Sequence, residues 1–137
     1  MSVEIRGIEE VQVALEGLFE PAKLEAALGM ACALVERAAK EKAPKGNGEL
    51  RRSITSKVEG DVGIVFTPLV YAPYVEFGTG LFAEDGNGRK DVPWNYQDDK
   101  GEWHSTSGMK PQPFMRPAFE ENKNRITKII KESIVND

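Results

Sequence analysis

A single histidine, a single cysteine and a handful of carboxylates in a glycine-rich stretch are the groups through which this chain could do chemistry. Spacing decides how far each can go. His104 is the only histidine in 137 residues, and neither a His-x-x-His nor a Cys-x-x-Cys pattern accompanies it. Acid–base or zinc chemistry needs such partners at fixed offsets. Asp98, Asp99 and Glu102 lie close in sequence, so a weak surface metal contact is the most this histidine offers. Asp85, Asp91, Asp98 and Asp99 are spaced wrongly for a calcium loop of the EF-hand kind. Cys32 stands alone, which excludes an intramolecular disulfide and a cysteine-cluster metal site. Its neighbours Met30, Ala31, Ala33 and Leu34 make it a buried, inert thiol.

Glycine patterns are equally plain. No Gly-x-Ser-x-Gly turn, phosphate-cradling loop or dinucleotide fingerprint occurs. The glycines at 46, 48, 78, 80, 86, 88, 101 and 108 serve turns and loops. The expectation is no catalytic residue, no cofactor and no metal site. The chain is not read as an enzyme.

Charge narrows the partners. The net charge is −4, about −2 in each half, so no basic half or tail exists to grip a phosphate backbone. Arg37, Lys40, Lys42, Lys45, Arg51 and Arg52 do fall close together, but Glu36, Glu41 and Glu49 are interleaved with them. That mixture reads as a solvated surface. No apolar run approaches the roughly 20 residues of a membrane span. Met1 to Arg6 lacks the layout of a signal peptide, so synthesis in a cytoplasm is expected.

These residues need elements to hold them. Ile8, Val11, Leu15 and Leu18 suggest a weak helix. Pro21 then opens a longer one to about Lys42, with a stripe of Leu24, Leu28, Ala31, Val35 and Ala38. Pro44 and Lys45-Gly46-Asn47-Gly48 end it. Ser53–Val58 and Val62–Thr67 predict an antiparallel hairpin around Glu59-Gly60-Asp61, with Arg51 and Arg52 opening its first strand and one buried face, which Val62, Ile64 and Phe66 share. Tyr71 to Thr79 reads as one helical turn, started near Pro73, ended at Gly78 and anchored on the sheet by Tyr74 and Phe77. Asp98-Asp99-Lys100-Gly101 suggests a second, smaller hairpin inside the long polar segment 79–112. A final helix starts at Pro117 and runs to about Val135, burying Phe119, Ile126, Ile130 and Ile134. The sum is a single α+β domain over 1–137, its N-terminal helices and long C-terminal helix on one face of a small antiparallel sheet.

Three stretches carry a resemblance. They are Gly48-Glu49-Leu50-Arg51-Arg52-Ser53-Ile54, Tyr71-Ala72-Pro73-Tyr74-Val75-Glu76-Phe77-Gly78-Thr79 and Pro113-Phe114-Met115-Arg116-Pro117-Ala118-Phe119. Their order and spacing resemble the tail-component (gene-product-ten) family of a Hong Kong lambdoid phage, from about Ala22 to Lys131. Trp94-Asn95-Tyr96, Gly101, Trp103-His104 and Gly108 resemble an insert that many relatives carry there. Asn47 departs from the Thr often found at that place, and it supports the same turn.

The resemblance implies a structural subunit of the head–tail connector, neck or tail-completion complex of a long-tailed phage or prophage. It implies residence in the virion after synthesis in the bacterial host cytoplasm. The partners implied are copies of itself in a ring and other connector or tail proteins, with DNA only in passing and no membrane. A DNA-binding module of a phage or prophage is the alternative. The structural or interface candidates are Arg52, Tyr71, Tyr74, Glu76, Phe77, Gly78, Trp94, Trp103, Phe114 and Arg116. Glu76, a carboxylate between Val75 and Phe77, needs a partner if buried, and Arg52 or Arg116 would suit it. The segment 79–112, with its two Trp and one Tyr, suits a contact that orders on assembly. Limited proteolysis of the free protein is expected to cut within it, and a fully resistant segment would refute ordering on assembly.

Overall fold

The computed structural model describes residues 1–6, 21–46 and 48–135, with the side chains of 6, 21, 134 and 135 left aside. The expected helix at Ile8 to Leu18 lies outside them. The architecture is α+β, in two compact units: Met1–Pro68 with Phe114–Asp137, and Leu69–Pro113.

The first unit is built on a three-stranded antiparallel sheet, β1 (Ser2–Arg6), β2 (Thr55–Glu59) and β3 (Val62–Phe66), in the order β1-β3-β2. Helix α1 (Pro21–Lys42) packs against all three strands. It begins where Pro21 fixes a helical φ and ends with Lys40 and Lys42 beside the exposed carbonyls, as the helix dipole favours. Its buried side is Leu24, Ala27, Leu28, Ala31, Cys32, Val35 and Ala39. Small residues dominate that side, so the helix can come close to the sheet.

The sheet answers with a missing side chain. Ile5, Gly63 and Val58 lie in register across the three strands, and so do Val3, Val65 and Ser56. Gly63 and Val65 are buried, whereas Val62, Ile64 and Phe66 are half-buried. The face expected to be buried is therefore the outer one. The reason is steric. A Cβ on Gly63 would overlap the Cys32 sulfur and come within 3.6 Å of the Leu28 carbonyl oxygen. Only the glycine face admits the helix this closely. On the outer face the Lys57 ammonium sits 5.6 Å from the centre of the Phe66 ring and 2.8 Å from Glu59, so charged stems cover the apolar residues there.

Other expectations need correction. Arg51 and Arg52 do not open a strand; they belong to a short helix, α2 (Glu49–Ser53), entered from Gly48 at φ 82. Ser53 ends that turn by donating to the Leu50 carbonyl at 2.6 Å and accepting from the buried Thr67 hydroxyl at 2.7 Å. The first strand, β1, had no counterpart in the sequence reading.

The C-terminal helix is two helices, α4 (Met115–Glu120) and α5 (Lys123–Val135). Pro117 is the third residue of α4, where a missing N–H costs nothing. Between them Asn122 turns its buried amide back to the Ala118 carbonyl at 2.7 Å. Met115, Ala118, Ile126 and Ile130 are buried, and Phe119 is only half-buried. Both helices pack on α1.

The second unit holds α3 (Ala72–Phe77), a 3₁₀ turn at Gly80–Phe82, and a hairpin of β4 (Trp94–Gln97) with β5 (Trp103–Thr106). Trp94 pairs with Thr106 and Gln97 with Trp103. The short helix and the small hairpin are where the sequence placed them. The buried side of α3 is Ala72, Val75 and Glu76, so Tyr74 and Phe77 do not anchor it. They do share a side, as their spacing required, but that side faces outward.

The contact of α1 with β3 makes a sharp forecast. Gly63→Ala should cost about 1–3 kcal/mol in urea unfolding, as overpacked sites do. Adding Cys32→Ala should recover part of that loss, because it removes the overlapping sulfur. A neutral Gly63→Ala variant would contradict the tight packing.

Candidate functional site

The second unit collects most of the interface candidates, and its backbone explains how. Gly78 takes φ 82 directly after α3, and its N–H donates to the Tyr74 carbonyl. The chain then runs beside residues 107–109: Thr79 N–H donates to the Met109 carbonyl at 2.9 Å, and Leu81 N–H to Ser107 at 3.0 Å. The Thr79 hydroxyl accepts the Met109 N–H at 2.9 Å. Side chains would block this approach. A Cβ on Gly80 would overlap the Ser107 carbonyl, and one on Gly108 would overlap that of Thr79. The crossing ties the segment after α3 to the segment after β5, at the open end of the hairpin.

Between α3 and β4 opens a groove of about 900 Å³. Tyr74, Phe77 and Trp94 line it with Pro73, Gly78 and Ala83, while Glu84, Asp85 and Arg89 bring charge to it. Tyr74 is 56% exposed. The Arg89 guanidinium stands 5.0 Å from the centre of the Trp94 ring, a cation–π geometry. The groove thus pairs aromatic walls with carboxylates. Four sequence candidates, Tyr74, Phe77, Gly78 and Trp94, meet here.

The remaining candidates fall elsewhere. Tyr71 is exposed beside α3, and Trp103 is 69% exposed on β5. Glu76 is wholly buried, and no buried side-chain nitrogen or oxygen among the described residues lacks a hydrogen bond. Its carboxylate is therefore satisfied, as burial demands. Arg52, Phe114 and Arg116 belong to the first unit. Phe114 is a core residue there, whereas Arg52 and Arg116 are exposed. Leu81 and Phe82 went unnoticed in the sequence, yet Leu81 is 59% exposed. An apolar pair directly after Gly80 was the available signal. Val70, 85% exposed, is another.

The hairpin turn gathers the titratable side chains. Asp98 accepts the N–H groups of Lys100 and Glu102 through Oδ1, each at 2.9 Å, and meets His104 Nε2 through Oδ2 at 2.7 Å. An ionised carboxylate only accepts, so Nε2 is the protonated nitrogen here. The imidazole stacks on Tyr96, ring centres 5.3 Å apart. The His104 hydrogen bond, followed by that from Glu102, holds the Asp98 carboxyl below its ordinary range. Asp98, Glu102 and His104 bring potential ligand atoms within 4.8 Å of one another. Asp98 is already committed to closing the turn, and Glu102 and His104 are exposed.

Elsewhere the chemistry is muted. Burial, with a smaller effect from Glu36, pushes the Cys32 thiol upward and so keeps it protonated. Three of the six basic residues between 37 and 52 sit beside carboxylates, in keeping with a mixed-charge surface: Lys40 lies 3.7 Å from Glu36, Arg37 3.6 Å from Glu41 and Lys42 2.6 Å from Glu121. Arg51 donates its Nε–H to the Lys40 carbonyl at 3.0 Å.

Residues 12–78 match the HK97-gp10-like family model, described as bacteriophage HK97-gp10, putative tail-component. Over that segment, just under half of its length, the chain is similar to this family. The match takes in α1, α2, the β2–β3 hairpin and α3 as far as Gly78. It contains the first of the three stretches on which the resemblance rested and all of the second but Thr79; Pro113 to Phe119 and the β4–β5 hairpin lie beyond it. No curated protein and no solved structure matches the chain.

The hairpin turn yields a titration. A carboxyl held low in the folded state stabilises above its ordinary titration range, and that contribution disappears as pH falls through the lowered value. In carbon-detected NMR titrations Asp98 should therefore titrate below a free aspartate, and His104→Ala should raise its midpoint. An unmoved midpoint would show that His104 is not the cause.

Proposed function

We propose that this protein is a non-enzymatic structural subunit of the phage head–tail connector, neck or tail-completion complex, joining tail to head as one segment of a closed ring. The observation that carries the reading is the tail-component match across the helix–hairpin–helix segment 12–78. The surface supports it. Tyr74, Phe77 and Trp94 line one groove in the second unit, and an exposed apolar patch of this kind marks an interaction site. Such a ring repeats one heterologous contact until the rotation closes. Its subunits act in the virion, against copies of themselves and other connector or tail proteins. Carboxylates pair with Arg37, Lys40 and Lys42 of α1, which lessens what that helix offers to DNA, and such a ring would meet DNA only in passage.

Light scattering behind size exclusion, over a wide concentration range and with negative-stain imaging, tests this directly. Closed rings of a single size are expected, formed alone or on adding purified tails or heads. A protein that stays monomeric and binds neither would overturn the proposal.

A further inference from the structure

The groove between α3 and β4 and the outer side of α5 are chemically complementary surfaces on one chain. Residues 69–113 carry seven carboxylates against four Lys and Arg. The groove walls are aromatic, and its charges include Glu84 and Asp85. Cations already settle on rings in this unit: Arg89 over Trp94, and the Lys110 ammonium 5.8 Å from the centre of Phe82. A surface of this kind takes long basic side chains, stems against rings and heads against carboxylates.

Helix α5 offers those side chains. It carries Lys123, Arg125, Lys128 and Lys131 against one acidic residue, Glu132. Ile126 and Ile130 point inward, while Arg125, Lys128 and Lys131 are exposed. At 3.6 residues per turn, positions 125, 128 and 131 fall together on the side opposite the buried isoleucines. Lys128 has a long contact to Glu132 at 3.9 Å; Arg125 and Lys131 make no ion pair among the described residues. The other long helix, α1, balances its charges along its length. Among the described helices, α5 is the one whose exposed side has a clear basic excess.

We infer that the Tyr74–Phe77–Trp94 groove of one subunit receives the Arg125–Lys128–Lys131 face of α5 from a second copy, head to tail. The inference rests on the ring reading and names the two faces that would build it. The faces differ, so the contact is heterologous, the type that a rotation closes into a ring.

Cross-linking with a short bis-maleimide tests the pairing. Asp85→Cys and Lys128→Cys chains are made separately, with a mass tag on one, and mixed under assembly conditions. The parent chain, whose only thiol is the buried Cys32, is the control. Tagged–untagged Asp85→Cys with Lys128→Cys dimers are expected in the mixture, with no dimers from either variant alone. A combined Lys128→Glu and Lys131→Glu variant should lower the assembled fraction, and adding Asp85→Lys to it should restore part. Rings that form without the mixed cross-link, or dimers from Asp85→Cys alone, would overturn this pairing and leave the ring reading intact. Failure to form any assembly, alone or with tails and heads, would remove both.

Discussion

Everything in the first unit depends on how near α1 can come to β3. Van der Waals attraction fades within an ångström of the optimal separation, so a helix lined with Ala27, Ala31, Cys32 and Ala39 gains from packing only if the sheet yields space. Gly63 yields it, at the point where the Cys32 sulfur would otherwise strike a side chain. With that contact set, Leu28, Val35 and Val65 close around it. Helices α4 and α5 pack on α1 as well, while its far side, at Ala26, Met30, Ala33 and Arg37, stays exposed. The Cys32 thiol, buried as its neighbours suggest, serves there as a spacer of the right size.

The second unit solves a different problem with the same residue. It has little core of its own, and its order comes from backbone. The segment at Thr79–Leu81 hydrogen-bonds to Ser107 and Met109, and Gly80 and Gly108 permit the approach. The hairpin closes on one carboxylate, Asp98, that serves two N–H groups and an imidazole. With backbone carrying the structure, side chains such as Tyr74, Leu81 and Trp103 are released to the surface.

Much of this was legible because local chemistry wrote it. The helix from Pro21 to Lys42, the turn at Glu59-Gly60-Asp61, the stop at Gly78 and the small hairpin around Asp98 each announce themselves within a few residues. What escaped was decided at a distance. β1 is a strand because β3, some sixty residues on, offers it an edge. The buried face of β3 was misassigned because hydropathy credits Val62, Ile64 and Phe66 and gives a glycine no weight. The break at Asn122 depends on an amide folding back to Ala118, which a periodic apolar pattern passes over. At the groove, residue types were readable and convergence was not. Tyr74 and Trp94 are twenty residues apart, and the glycine-lined crossing ties the segment after α3 to the segment after β5, the strand that pairs with Trp94.

The second unit leaves the first after Pro68 and rejoins it at Phe114, so it is an excursion fastened at both ends. Lengthening a loop between fixed ends is cheap, about 0.6 kcal/mol for each doubling. Here the crossing of Thr79 with Met109 closes most of the excursion near its base. The stretch beyond that clasp can therefore grow, shrink or exchange its aromatic residues with little consequence for the helix-on-sheet body. Evolution is left a replaceable fitting on a mount that need not change, by which one scaffold can be matched to different neighbours.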